Sequence, residues 1–387
     1  MKICKNGIWD STIPGIEFDA HDESNYSKLF KKMLDYYPRN DESLVKWDNI
    51  VNQAKEQGKG KNYDCIVGVS GGTDSTYLLH LLVRQYGLRP LAVTFDNGWS
   101  SEISIQNIKL ITSKLNVDLE TYVVDYEEMK DIIVSFMKAG LPWIDGPTDH
   151  AIKALMHKQA RKEGIKFVFH GSDFRTEGFQ PNEWTHCDAR QIKYINRKFG
   201  KIKIRSFPII SLFEEIYSSF ICGVKLHRPF YYLPYNKSEA QQFIKNEYGW
   251  RYYGGHHHEN SFTKFVITDW LPKKFNIDKR IITLSALVMS GEMSREDALI
   301  EIKKDHYDIE LMRNHREFVI KKLGLVNNQF NEIWNNKNRN FKNYPSYYPF
   351  IQKMSRIVNI LVKYILPYKP LSLMQDEIRK SEKKNHE

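Results

Sequence analysis

The run Ser70-Gly71-Gly72-Thr73-Asp74-Ser75 gathers hydroxyls, a glycine pair and a carboxylate into one short stretch. It follows the apolar, β-branched segment CIVGV (65–69) and runs into STYLLHLLVRQYG (75–87), whose apolar residues recur at helical spacing. A turn from a buried strand into a helix leaves backbone N–H groups without helical partners. They point beyond the strand end, where the helix dipole favours an anion. Gly71 and Gly72 let the backbone approach a ligand closely, and Ser70 and Ser75 add hydroxyl donors. Asp74 suits such a site if a Mg²⁺ ion bridges it to phosphate. The pattern is not GxxxxGK[ST], since it has no lysine to reach a terminal phosphate, and it is not GxGxxG. The plain alternative is a strand-to-helix turn that happens to carry two glycines.

Elements able to hold that turn follow from periodicity. Strands are expected at 65–69, PLAVTF (90–95), LETYVVD (119–125) and IKFVFHG (165–171), and helices at 75–87, 101–116 and 150–164. The alternation means an α/β fold, a doubly wound parallel sheet covered on both faces. Ligands of such sheets sit at the carboxyl ends of the strands. The chain divides into an N-terminal extension (1–60), the α/β domain (61–175), a mainly helical lobe over the strand ends (176–335) and a basic amphipathic tail (336–387). The extension carries one helix, capped by Asp41, and ends in a loose Gly58–Lys61 linker. Ser294, with Asp297 at the capping-box offset, reads as a helix start.

The turn matches SGGxDS, the signature of the PP-loop ATP pyrophosphatases. The resemblance implies ATP and Mg²⁺ as cofactors, cleavage between the α and β phosphates, and pyrophosphate held by Ser70 through Ser75. It places adenosine at the end of the second strand, on Thr94, Phe95 and Asp96; Asp96 alternatively serves as a turn carboxylate before Asn97-Gly98. Four stretches, the first containing the turn itself, are "YDCIVGVSGGTDSTYLLHLL", "HGSDFRTEGFQP", "DARQIKYINRKFGKIKIRSFP" and the long segment from "YYGGHHHENSF" to "SREDAL". Together, over roughly residues 40 to 310, they resemble the N-acetyl sugar amidotransferase family (WbpG/PseA type).

That resemblance implies adenylation of the acetamido oxygen of a sugar, usually nucleotide-linked, and displacement of AMP by ammonia to give an acetamidino group for bacterial surface polysaccharide or flagellin glycans. Gly171 and Ser172 would close on AMP or the acyl group. Asp173 and Glu177 would bind Mg²⁺ or hold ammonia, unless Asp173 caps a helix. Asp74, Asp173 and Lys279 form the expected catalytic set, with Asp74 and Asp173 as Mg²⁺ ligands. Arg190, Lys193, Arg197 and Lys198 would meet diphosphate, or form a solvated basic face. His258, Glu259, Lys264 and Arg280 would contact substrate, with packing and salt bridging as the structural alternatives. His256, His257 and His258 are consecutive and diverge on any regular element, and Cys4 stands alone where family members carry a cysteine cluster, so no zinc is expected.

The remaining inferences are broader. The cysteines Cys4, Cys65, Cys187 and Cys222 are scattered and unpaired by motif, which argues against sulfur transfer and for a reducing cytoplasm. Lys2 excludes an N-terminal cysteine nucleophile, so ammonia is expected from a separate glutaminase subunit resembling the glutaminase–cyclase pair of histidine biosynthesis. No secretory signal and no membrane-length apolar run are read. The balance of 57 basic and 47 acidic residues, net +10, points to an anionic partner. The expected one is a sugar nucleotide rather than nucleic acid, with membrane-surface contact through the tail. The rival readings are a tRNA-modifying PP-loop enzyme, which would show steep salt dependence, and a non-catalytic nucleotide-binding scaffold for a glutaminase.

Overall fold

In the computed structural model the described residues are 2–255, 258–305 and 309–354. Five strands, β1 (Cys65–Gly68), β2 (Pro90–Asp96), β3 (Leu119–Val123), β4 (Phe167–Phe169) and β5 (Lys225–His227), form one sheet in the order β3-β2-β1-β4-β5. Every neighbouring pair is parallel, with Ile66 opposite both Leu91 and Val168. β1 is central, and Cys65, Ile66 and Val67 are all fully buried. Burial on both faces selects the continuous apolar run seen in the sequence rather than an alternating one. Helices α1 (Asn25–Tyr36), α2 (Asp41–Gly58), α3 (Thr73–His80), α4 (Glu102–Leu115), α5 (Tyr126–Lys138) and α6 (Gly146–Lys162) precede β4.

Chain order reverses at β1. From there β2 and β3 lie to one side and β4 and β5 to the other, so the loops after β1 and β4 diverge and open a crevice between them. The helix after β1 is α3, which passes into a π-helical turn, Leu81–Gln85. α2 covers one face with Trp47, whose ring meets Tyr86 and Phe169 edge-on, at centroid distances of 5.6 and 5.3 Å. A fully buried ring of this kind contributes about 2–3 kcal/mol of transfer free energy. The cap of α2 is Asn40, not Asp41: the Asn40 side chain accepts from the Ser43 amide.

Elements that escape the periodicity include α1, in an extension expected to carry one helix, with Ser24 as its cap, and two more. α5 lies where no helix was read; Asp125 caps it by accepting from the Glu127 and Glu128 amides. β5 falls inside the stretch read as helical, because three residues are too short to show a period. The start at Ser294 is as expected, with its hydroxyl accepting from the Asp297 amide. Of the expected amphipathic tail (336–387), the residues from 355 onward lie outside the described ones, as do His256 and His257, while Tyr348–Lys353 form a short helix. Among the described residues no helix is long and apolar enough to cross a membrane.

Candidate active site

The Ser70–Ser75 turn leaves β1 and enters α3 as its spacing requires. Gly71 has φ +76°, and a Cβ there would lie 2.3 Å from the Ser104 carbonyl oxygen. Only glycine fits that position. The turn is pinned from outside: its Gly71 carbonyl accepts from Trp250 Nε1 (2.9 Å) and Asn107 Nδ2 (3.2 Å). Inside it, Ser75 Oγ accepts from the Ser70 amide at 3.2 Å. The second wall of the crevice is the turn after β4. A Cβ on Gly171 would come 3.0 Å from the Asp74 carbonyl carbon, so Gly171 lets this loop close against the start of α3. Here Ser172 Oγ accepts from Arg228 Nε at 3.1 Å. Burial, and then Arg228, lower the His170 imidazole to about 4, so it stands neutral in this wall.

Between the walls lies a cavity of about 720 Å³. Ser70, Gly72, Asp74, Ser75, Thr94, Phe95, Gly171, Ser172, Glu177, Glu259, Lys279 and Arg280 all line it. These expected site residues therefore share one space. Gly71 and Thr73 shape the turn without lining the cavity.

Other expected residues lie elsewhere, each for a physical reason. Asp173 is fully buried, caps the short helix Phe174–Glu177 through the Arg175 amide, and is paired to Arg39 at 2.6 Å. Burial pushes its carboxyl up, and the two arginines oppose that. Its oxygens are taken by Arg39 and the Arg175 amide and it does not line the cavity, which removes it from the expected Mg²⁺ and catalytic set. Asp96 accepts from the Gly98 amide at 2.9 Å, the turn role. Arg190, Lys193, Arg197 and Lys198 lie on the exposed face of the amphipathic helix Ala189–Phe199, away from the cavity. Lys264 lies in the last turn of the helix Ser261–Phe265, and His258 is buried; neither lines the cavity. Arg280 reaches the cavity rim but is committed to Asp278 (2.8 Å) and to the Ile302 and Lys304 carbonyls.

Several groups on or beside the cavity carry no expectation from the sequence. Asp74 accepts from Tyr235 Oη and from Lys237 Nζ, the latter at 2.9 Å. Lys237 is the first residue of the helix Lys237–Tyr248. Burial presses its amine toward neutrality, but Asp74 outweighs burial and holds it above the ordinary lysine range. The cavity is also lined by Trp143, Asp145, Thr148, Asp149 and Thr263. Lys279 Nζ sits 3.8 Å above the Trp143 ring. Burial lowers that amine to about 8, against the pull of Asp149, Glu177 and Asp145. Burial, and then Asp188, push the Cys187 thiol up, and burial does the same to Cys65, so neither is a poised thiolate. No signal local to Tyr235, Lys237 or Asp145 marks them in the sequence.

A divalent cation can be tested against these donors. Mg²⁺ is held by one or two carboxylates plus substrate phosphates. Asp74 fits, lying in the wall beside the anion-favouring turn, and Glu177 is a second carboxylate on the same cavity. Asp173 does not fit.

Residues 259–357 match the family described as LPS biosynthesis protein WbpG-like, C-terminal domain. The match overlaps the last of the stretches on which the sequence resemblance rested (252–299) and runs beyond it, and it supplies the Glu259, Thr263, Lys279 and Arg280 wall. No curated protein matches the chain. Among solved structures, an NMN synthetase from Francisella tularensis is similar at 12% identity and a TM-score of 0.28, covering 65% of this chain and 94% of that one. An NH3-dependent NAD synthetase from Campylobacter jejuni is similar at 14% identity and a TM-score of 0.31, covering 69% and 96%. A U34-tRNA thiolase, NcsA, from Methanococcus maripaludis is similar at 15% identity and a TM-score of 0.31, covering 69% and 82%. Likenesses this distant carry no argument about the chemistry of this chain.

Proposed function

We propose that the chain is an ATP-dependent amidotransferase. In this reading it adenylates the acetamido oxygen of a nucleotide-linked N-acetyl sugar and replaces AMP with ammonia, giving an acetamidino group. One observation carries the reading: the glycine turn at the end of β1 shares a cavity with the WbpG-like segment.

Amide oxygen is a poor leaving group, which is why the exchange needs ATP. The backbone amides of the turn and the hydroxyls of Ser70 and Ser75 hold the departing pyrophosphate. Lys237, within reach of Asp74, supplies the positive charge that a single strand-to-helix turn lacks. Mg²⁺, when bound at Asp74, would screen the phosphate oxygens from one another. Thr94 and Phe95 at the end of β2 border the adenosine side, and Gly171 admits the α-phosphate between the walls. The sugar takes the remaining space toward Glu259 and Lys279. A separate glutaminase supplying the ammonia belongs to the same proposal, as do surface glycans as destination.

The test is mass spectrometry of UDP-linked N-acetyl sugars incubated with the protein, ATP, Mg²⁺ and ammonium chloride, with pyrophosphate followed in parallel. The expected result is pyrophosphate release driven by one sugar nucleotide, with the small mass loss that exchanging oxygen for NH brings. Release that instead requires tRNA overturns the sugar reading, and release under no condition overturns catalysis.

A further inference from the structure

Part of the cavity wall is acidic, formed by Asp145 and Asp149, and one of these carboxylates is out of keeping with its surroundings. Asp145 occupies the N-cap position of α6 but does not cap it. It is 2% exposed. One oxygen, Oδ2, accepts from Thr263 Oγ1. The other, Oδ1, is buried and belongs to a residue that lines the cavity; it makes no hydrogen bond of full geometry among the described residues, and the Thr148 hydroxyl beside the carboxyl only weakly offsets its burial. Buried carboxylate oxygens are almost always satisfied, so Oδ1 keeps acceptor capacity for a donor that enters the cavity.

One turn along the same helix, Asp149 faces the same cavity and accepts from Trp143 Nε1 at 2.7 Å. Asp149 is exposed, whereas Asp145 is not. The charged groups facing Asp145 are Asp149 and, across the cavity, Lys279, whose own charge is shared with the Trp143 ring and Glu177. A neutral hydroxyl would need one carboxylate. Two carboxylates, one sealed and one open, favour a small cation that gives up protons.

We propose that Asp145 and Asp149 form the capture site for ammonium, the nitrogen donor of the reaction, and take its protons as it becomes a nucleophile. This rests on the amidotransferase reading above. Between ammonium and the amidinium product the nitrogen must shed two protons. The first passes to Asp145 Oδ1, leaving ammonia with a free electron pair. That pair forms the C–N bond to the adenylated amide carbon. The C–O bond to AMP then breaks, and its electrons leave with the phosphate. The second proton passes from the adduct nitrogen to Asp149, which is open to solvent and returns it there. Burial, and then Asp149, push the Asp145 carboxyl up to about 7, which suits a group that accepts a proton and later gives it up near neutrality.

The experiment separates the two steps. ATP–pyrophosphate exchange, with whichever UDP-linked N-acetyl sugar drives release, reports adenylation without ammonia. In Asp145→Asn that exchange should stay within about twofold, while amidine formation from ammonium chloride should fall roughly 100-fold. Hydroxylamine, already unprotonated at neutral pH, should restore most of that loss, which a structural defect would not allow. Asp149→Asn, at an exposed position, should show the same pattern to a smaller degree, and it stands in if the buried substitution does not fold. Ammonium-dependent rates unchanged in both variants, or exchange lost together with them, overturn the inference. No exchange in the unsubstituted protein with any sugar overturns the reading beneath it instead.

Discussion

At the scale of single residues the site is organised by unequal burial of charge. Asp74 is held by Lys237 and Tyr235, while Asp145 carries an under-satisfied oxygen in a sealed position. The first arrangement anchors a cation, Lys237, on the carboxylate of the glycine turn. A charge-assisted hydrogen bond contributes about 1.5–3 kcal/mol. Lys237→Gln should therefore raise the KM for ATP about 10- to 100-fold, with little change in melting temperature, in pyrophosphate-release kinetics paired with thermal melts. An unchanged KM would remove Lys237 from phosphate binding.

Asp145 makes a stability prediction of opposite sense. Its folded carboxyl titrates near 7 against 3.8 for the ordinary group, so the folded chain binds more protons than the unfolded chain between those values. Stability from this group then falls as pH rises through that window, and the full penalty applies above it. Asp145→Asn should raise the melting temperature at about pH 8 and change it little at about pH 4, a gain on the order of a few kcal/mol at most. A melting temperature lowered at the higher pH would contradict the buried, under-satisfied carboxylate. Stability yielded at a functional group is a common pattern in enzymes.

At the scale of elements, the glycine turn was legible in the sequence because everything that defines it is local. An apolar run, two glycines and a helical period occupy adjacent positions, and the turn they form needs φ +76° at Gly71. Gly71→Ala should cost about 1–3 kcal/mol, since both the left-handed backbone and the 2.3 Å approach to the Ser104 carbonyl forbid a side chain. The measurement is chemical denaturation alongside nucleotide affinity, and both should weaken; retained stability would mean that the turn has another conformation. Illegible were the groups that reach the cavity from elsewhere. Lys237 is 163 residues from Asp74, and Thr263 is 118 from Asp145. Helical spacing showed that Arg190, Lys193, Arg197 and Lys198 cluster, but not which face of their helix looks outward. The carboxylates of α5 were invisible for the same reason. Glu128 accepts from the amides of Arg205, Ser206 and Phe207, and Asp131 from those of Lys201 and Ile202, so they hold the basic loop in place through its backbone.

At the scale of the molecule, the cavity is closed by chain that lies far along the sequence and shares its core. Trp99, Met129, Ile132, Ile133 and Leu141 pack in one buried cluster with Phe262, Phe265, Trp270 and Phe330. Phe262 meets Trp99 at 5.2 Å between centroids, and Trp270 donates Nε1 to the Leu141 carbonyl at 3.1 Å. Each large side chain buried this way contributes about 1.5–3 kcal/mol, and a chain lacking all of the later partners would lose more than the 5–15 kcal/mol by which a typical protein is stable. The strand-and-helix half is therefore not expected to fold alone, despite holding β1 to β5 complete. A chain ending at Gly255 should show weak near-ultraviolet circular dichroism and rapid proteolysis within α5, where Met129, Ile132 and Ile133 would be uncovered. If that shortened chain instead unfolds cooperatively with the sheet's own stability, the WbpG-like segment is an appended wall rather than part of the core. Removing it should then abolish the Lys279 and Thr263 contributions while leaving nucleotide binding at the glycine turn intact.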